Sequence, residues 1–268
     1  MRKHFERGGR LISYLDAGPP AAGSPRGTLV LLHAFPLSAE MWEPQLASAP
    51  AGWRVVAPDV AGFGQSFPVP ATATFEDDAR DVVALLDHLG VAEAVVGGLS
   101  MGGYIAFALA RLAPGRLRGL VLADTRAEAD SDDARRSRQE MLGTVRQGGT
   151  AAVLEGMLPR LLGRTTLGSR PGVVARVREI GLRQPAEAVR AAIYRLMGRP
   201  DSVPLLGAIR CPVLVVAGSE DVITAPEVAR GLQARIPSAE LVILDGAGHL
   251  SSLERPEAFT DALARFLR

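Results

Sequence analysis

Gly98-Leu99-Ser100-Met101-Gly102 sets a serine between glycines two residues away on either side. The apolar run before it, Val95-Val96-Gly97, reads as a strand, and the alanine-rich stretch from Ile105 to Leu112 reads as a helix. Ser100 therefore falls at a strand-to-helix turn. That is the context a G-x-S-x-G nucleophile elbow requires, because glycines at those spacings let strand and helix approach while the backbone bends sharply. The bend raises the hydroxyl toward solvent, and the N–H of Met101 opens the helix as a donor free for a developing oxyanion. The chemistry implied is attack by Ser100 on an acyl carbon.

A serine hydroxyl needs a base within hydrogen-bond reach and a third group to orient that base. The chain has four histidines. His249 sits in Asp245-Gly246-Ala247-Gly248-His249-Leu250, a glycine loop beyond the carboxyl end of an apolar run, where open α/β sheets hold ligands. It is the candidate base. His33 ends a strand on the same rim and reads as shaping its loop. His88 lies in the last turn of a helix, where the dipole favours a surface histidine, and His4 reads as solvated near the amino terminus. Two acids follow apolar strands, Asp124 and Asp221. Asp221, in Ala217-Gly218-Ser219-Glu220-Asp221, completes the order Ser, Asp, His, with Asp124 as the alternative. Its neighbour Glu220 reads as an exposed turn carboxylate.

The elements that must position these groups alternate along the chain. A hairpin turns at Gly8-Gly9, a Pro/Gly/Ala-rich surface loop spans 16–27, and strands are expected at Thr28–Leu32, Trp53–Ala57, Val95–Gly97, Arg118–Ala123, Cys211–Ala217 and Glu240–Leu244. Helices are expected over Ala39–Ala49, after Thr74 (acids in the first turn, Val82, Leu85, Leu86 and Leu89 at helical spacing, Gly90 closing it), over Pro226–Ile236, and from Pro256 with Phe259, Leu263 and Phe266 on one face. Alternation of this kind specifies a mostly parallel sheet flanked by helices. It breaks after Asp124. From 126 to 200 only helical stretches occur, at Asp132–Gln147, Thr150–Leu162, Pro171–Arg183 and Pro185–Met197. The chain thus divides into a core of 1–125 and 201–268 and an all-helical insertion of 126–200 between two late strands.

Composition narrows the function. A net charge of +1 offers no general electrostatic case for nucleic acid. Lys3 is the only lysine, so the abundant arginine reflects base composition rather than phosphate recognition. The single cysteine, Cys211, excludes an intramolecular disulfide and a cysteine-based metal cluster, and reads as a small buried filler. No signal segment or membrane-length apolar run is visible, and a cytoplasmic monomer or homodimer with no membrane partner is expected.

Taken together, His33-Ala34-Phe35-Pro36, the loop from Pro58 to Ser66, the Ser100 elbow, Gly218-Ser219-Glu220-Asp221 and Gly248-His249 make the chain resemble the α/β-hydrolases over almost its whole length. The resemblance implies Ser100 as nucleophile, His249 as base, Asp221 as acid, and the Phe35 and Met101 amides as oxyanion hole, with no metal or organic cofactor. It also implies that Asp59 braces the oxyanion loop. Ala34 departs from the glycine usual at that position and puts the shape of that loop in question, since alanine does not readily take a positive φ.

By the same resemblance the helical insertion is a cap that roofs the pocket and selects the substrate. Met141, Leu154, Met157, Leu158 and Met197 from the cap, with Leu250 beside the base, are candidates to line it, though helical spacing equally describes packing. The cap's many arginines, Arg160, Arg195 and Arg199 among them, read as solvated helix faces, of which one or two could clamp a substrate carboxylate. The chain is similar to a bacterial subgroup of small carboxylesterases and 3-oxoadipate enol-lactonases. The expectation is hydrolysis of short- to medium-chain carboxylic esters. A lactonase, a cofactor-free perhydrolase or haloperoxidase, a carbon–carbon bond hydrolase, and a small-molecule receptor with little turnover are the alternatives.

Overall fold

The computed structural model describes residues 1–19, 25–69 and 72–268, so residues 20–24 of the expected 16–27 loop lie outside the described residues. Eight strands form one sheet: β1 (Arg2–Arg7), β2 (Arg10–Asp16), β3 (Gly27–Leu32), β4 (Trp53–Pro58), β5 (Ala94–Leu99), β6 (Leu117–Ala123), β7 (Val213–Gly218) and β8 (Ala239–Leu244). Their order is β1-β2-β4-β3-β5-β6-β7-β8. The hairpin β1–β2 joins antiparallel to β4, and every pairing from β4 to β8 is parallel. Because β4 lies on one side of β3 and β5 on the other, the order reverses at β3. The crevice beyond the carboxyl ends of β3 and β5 is therefore the topological switch point, where such sheets take ligands.

Helices cover both faces. They are α1 (Glu43–Ala47), α2 (Phe75–His88), α3 (Met101–Leu112), α4 (Asp132–Leu161), α5 (Arg164–Ser169), α6 (Pro171–Leu182), α7 (Ala186–Gly198), α8 (Val203–Leu206), α9 (Pro226–Arg235), α10 (Ser251–Glu254) and α11 (Pro256–Phe266). The pleat sends alternate residues of each central strand into two cores. Val30, Leu32, Val96, Leu120 and Leu122 pack with α2, α3 and α9. Leu29, Leu31, Val95, Val121 and Ala123 pack with Trp42 and with Phe259 and Leu263 of α11. Burial on both faces explains why these strands read as continuous apolar runs. Helix α2 starts with a capping box, in which Thr74 and Asp77 each accept from the other's backbone N–H, as the acids after Thr74 suggest.

Three expectations need correction. The helix expected over Ala39–Ala49 is a single 3-10 turn, Ala39–Trp42, followed by α1, because Pro44 brings no N–H and restarts the helix at its first turn. A short helix, α5, lies in the insertion where no periodicity announces it; its Thr-Thr-Leu-Gly run is a poor helix former. Third, two arginines expected on solvated faces are buried. Arg195 of α7 contacts both carboxylate oxygens of Asp78 in α2 at 2.9 and 2.8 Å and donates to the Ala61 carbonyl at 2.8 Å. Arg199 pairs with Asp130 at 2.6 Å and lies over the Tyr104 ring. A buried guanidinium needs an acid partner, and both have one.

The stretch 126–200 carries no strand, and α4 to α7 occupy most of it. Gly149, at φ 65°, breaks α4 into two arms between the stretches expected to be separate helices. No described helix is long and apolar enough to cross a membrane.

The Asp78–Arg195 pair fastens α7 to the core. Burial pushes the Asp78 carboxyl up to about 6 against the opposing pull of Arg195, so the charge is held only by that contact. Asp78→Ala leaves the guanidinium buried without an acid and should lower the unfolding free energy by about 3–5 kcal/mol in urea denaturation. Glu155→Ala, which opens the exposed Glu155–Arg178 pair, should leave the midpoint unmoved.

Candidate active site

Beyond β5 the backbone turns through Ser100 at φ 54° and ψ −110°, one of two described non-glycine residues with positive φ. Such a conformation costs about 1–3 kcal/mol and persists only where its surroundings impose it. Here they do. A Cβ on Gly98 would lie 2.1 Å from the Gly102 carbonyl oxygen, and one on Gly102 would lie 2.2 Å from the Leu32 carbonyl oxygen. Strand, turn and helix thus meet at backbone contact, and the Ser100 hydroxyl is left at the rim. Its carbonyl is fixed by Gly103 N–H at 2.9 Å and by the Thr125 hydroxyl at 2.8 Å.

The loops after β7 and β8 bring the other two groups to it. His249 Nε2 lies 2.8 Å from Ser100 Oγ, and its Nδ1 lies 2.8 Å from Asp221 Oδ2. With the carboxylate facing Nδ1, that nitrogen carries the proton, Nε2 is left as acceptor, and the serine hydroxyl donates to it. Both His249 and Asp221 are almost fully buried. Burial alone would raise the Asp221 carboxyl, but the His249 charge and hydrogen bond, with the Thr224 hydroxyl and amide, outweigh it and hold the group at about 2. Asp221 Oδ1 accepts the N–H groups of Ile223 at 2.7 Å and Thr224 at 3.0 Å, and Oδ2 accepts the Thr224 hydroxyl at 2.5 Å.

Asp124, the alternative acid, does not reach the imidazole. Its carboxylate accepts Gly218 N–H at 2.9 Å and the Ser251 hydroxyl, and so ties the ends of β6 and β7 to the turn after His249. Burial and the neighbouring Asp221 charge push this carboxyl well above the usual range. His33 shapes its loop. Val60 N–H donates to its Nε2 at 3.0 Å, which leaves Nδ1–H to donate to the Ala34 carbonyl at 3.0 Å, and burial lowers its pKa and favours the neutral ring. Asp59 accepts Ala39 N–H at 2.9 Å and Gln65 N–H at 3.0 Å and pairs with Arg2, which braces the segment after β3.

Among the described residues, neither the Phe35 N–H nor the Met101 N–H donates to another protein group. Both are buried beside Ser100's rim, and two unspent amides at that place can receive an oxyanion. Ala34 is buried and is not among the described positive-φ residues; its N–H is turned to Met41 Sδ at 3.2 Å. This loop therefore does not need a glycine there.

A cavity of about 490 Å³ lies between the arms of α4 and the core, bounded by Tyr104 of α3, Arg126, Met141, Met157, Arg160 and Ile223. Met141 and Met157 thus line it. Leu154, Leu158 and Leu250 are instead buried in apolar packing with α6 and the sheet, and Met197 packs against the opposite core. Glu220, expected to be exposed, is tucked under α5 with its side chain 14% exposed and accepts Thr165 N–H at 2.9 Å. That bond satisfies an open amide in the first turn of a weak helix.

Sequence reasoning missed Thr224 and Glu254. Thr224 follows Asp221 by three residues, a spacing that favours side-chain-to-backbone turns and is visible in retrospect. Glu254 precedes Arg255-Pro256 and carries no signal of its link to the insertion, because that partner, Gly163, lies 91 residues away.

Comparison with known proteins agrees with this fold. The family model described as alpha/beta hydrolase fold matches residues 27–256. The chain is 28% identical to 3-oxoadipate enol-lactonase 2 of Acinetobacter baylyi over 91% of its own length and 89% of that protein. An esterase from Thermogutta terrifontis, solved with malate bound, is 38% identical and superimposes with a TM-score of 0.93 over 100% of this chain and 98% of that one. The enol-lactonase from Burkholderia xenovorans LB400 is 29% identical, with a TM-score of 0.89 over 99% of both chains.

The depressed Asp221 pKa has a direct consequence for stability. The carboxylate contributes fully above its ordinary value near 3.8, and the contribution drains away as pH falls toward about 2. Asp221→Asn should flatten the stability profile between those values. With its imidazole no longer oriented, it should also lose about 10,000-fold in kcat on any acyl substrate while the fold is retained.

Proposed function

The chain belongs to the α/β-hydrolase fold family, and on that premise we propose that it is a carboxylesterase that cleaves esters of short to medium acyl chain through an acyl-serine intermediate. The observation that carries this reading is the unbroken relay from Ser100 Oγ through His249 to Asp221, each link 2.8 Å, at an elbow with no room for a Cβ at Gly98 or Gly102. Esterase and enol-lactonase relatives support hydrolysis of esters or lactones as the reaction class.

The chemistry follows from the positions of these atoms. His249 Nε2 takes the hydroxyl proton as Ser100 Oγ bonds to the acyl carbon, and Asp221 stabilises the imidazolium without being protonated itself. The Phe35 and Met101 amides bind the oxygen that becomes negative in the tetrahedral intermediate. Collapse breaks the bond to the alcohol, which leaves with the proton from His249. Water then enters by the same route, and the acid departs with Ser100 restored.

A p-nitrophenyl ester series from acetate to decanoate tests this directly. Turnover is expected at the short end, with Ser100→Ala lowering kcat by at least about 1000-fold. An inactive wild-type protein, or activity unchanged in Ser100→Ala, refutes the assignment.

One observation favours a second reading, in which the substrate carries a free carboxylate, as an enol-lactone of a dicarboxylic acid does. Arg126 and Arg160 both border the cavity, and among the described residues neither faces a carboxylate. Arg126 follows Thr125, which holds the Ser100 carbonyl, and donates to the Ile223 carbonyl in the acid loop. Its guanidinium is thus held at the acid loop with no carboxylate partner, whereas Arg138 and Arg199, which also line the cavity, are matched by Asp130. If this reading holds, Arg126→Ala raises KM for monomethyl succinate about 10-fold and leaves methyl butyrate unchanged. Equal effects on both esters dismiss it.

A further inference from the structure

The cap touches the core most intimately at the two loops that carry the acid and the base, not over the cavity. Leu161 to Thr165, the joint between α4 and α5, is inserted between them. Leu250 N–H reaches the Leu161 carbonyl at 3.2 Å. Gly163 and Gly248 meet backbone to backbone: a Cβ on Gly248 would lie 2.1 Å from Gly163 N, and one on Gly163 would lie 2.8 Å from Gly248 N.

Two carboxylates complete the joint. Glu254, wholly buried, accepts Gly248 N–H at 2.9 Å and Leu250 N–H at 3.2 Å on one oxygen, and Gly163 N–H at 2.8 Å on the other. The first two flank His249, and the third belongs to the cap. Among the described residues no cation pairs with Glu254, and three backbone N–H groups are the donors to its two oxygens. Glu220, next to Asp221, links to the base loop through its own N–H to the Ala247 carbonyl at 2.7 Å. Its carboxylate receives Thr165 N–H at 2.9 Å, the Thr165 hydroxyl at 2.7 Å and Arg164 Nε at 3.2 Å from the cap.

We propose that the Leu161–Thr165 joint is a clamp on the acid–base pair, with Glu254 and Glu220 as positioning residues, so that the seating of the cap sets the rate of turnover and not only which substrate enters. This rests on the reading of Ser100, His249 and Asp221 as the reacting groups. The direction of the imidazole is fixed by the backbone on either side of it, and a shift of about 1 Å at a reacting group costs about 100-fold in rate. A segment that merely roofed a pocket would have no use for amide-to-carboxylate bonds aimed at residues 248 and 250. A roof acts through contact with the acyl chain and changes KM. A clamp acts on kcat, even for an acetyl group too small to reach the cap.

Glu254→Gln and Glu220→Gln in the full chain separate the two. A glutamine offers an acceptor on one side and an N–H2 group on the other, so at 254 it can satisfy the base loop or Gly163 but not both. With p-nitrophenyl acetate, kcat should fall about 10- to 100-fold in Glu254→Gln and less in Glu220→Gln, while KM changes by less than about threefold. Glu155→Gln, elsewhere on the cap, serves as the unaffected control. The second readout needs no turnover. The downfield proton on His249 Nδ1, assigned by its loss in Asp221→Asn, should broaden or shift in both glutamine variants and persist in Ser100→Ala. If Glu254→Gln does not fold, Glu220→Gln, whose side chain is less deeply buried, carries both measurements. A KM effect with kcat intact, or a proton resonance at its wild-type position in the folded variants, overturns the clamp. A wild-type protein without esterase turnover would defeat the functional reading instead, and the resonance would still decide the clamp.

Discussion

The structure depends on a steric constraint: at the end of β5, backbone must touch backbone. With no room for a Cβ at Gly98 or Gly102, helix α3 comes down onto β3 and β5, and the chain can only pass between them by placing Ser100 in a strained, positive-φ turn. That strain is the means by which a polar side chain in an apolar sheet is turned out to the rim. The same helix N-terminus leaves the Met101 amide without a partner. The proposed nucleophile and the proposed oxyanion donor are two consequences of one close contact.

Around this turn the rim is built from buried carboxylates held by backbone amides. Asp59 binds amides of the segments after β3 and β4, Asp124 binds the end of β7 and the Ser251 hydroxyl, Asp221 binds its own following turn, and Glu254 binds the base loop and the cap. Each would be costly to bury alone, and each is stabilised by several N–H or O–H donors. Because one carboxylate accepts from loops far apart in sequence, these groups fix the relative positions of loops that secondary structure leaves free. The precision of the 2.8 Å contacts on His249 comes from this polar scaffold more than from the apolar cores, which set the sheet and helices but not the loop tips.

The cap is bonded to that scaffold in two different ways. At its far end, Arg195 reaches through to Asp78 and the Ala61 carbonyl, a buried ionic contact that holds α7 down. At its near end, the α4–α5 joint is held by neutral amides donating to Glu254 and Glu220. Between these attachments lies the cavity, lined on the arms of α4 by methionines and arginines one turn apart, Met141 with Arg138 and Met157 with Arg160.

The strands, the elbow and the order Ser100, Asp221, His249 were legible because they are local: apolar runs buried on both faces, glycines at a fixed spacing, and polar residues just past strand ends. Helix ends with capping residues, such as Thr74 before α2, were legible for the same reason. Which of Asp221 and Asp124 faces the imidazole was open in the sequence, since both end apolar strands; that His249 faces Asp221 depends on how the loops after β7 and β8 meet, which no local pattern encodes. The link of Glu254 to Gly163, the burial of Arg195 and Arg199, and the tuck of Glu220 under a helix of poor formers were likewise invisible, because in each of these contacts the partner lies 55 or more residues away. Sequence determined which groups could react, since reactivity requires particular side chains in particular turns. Tertiary structure alone decided which of them meet, because a hydrogen bond is made at 2.8 Å in space and its partners need share nothing along the chain.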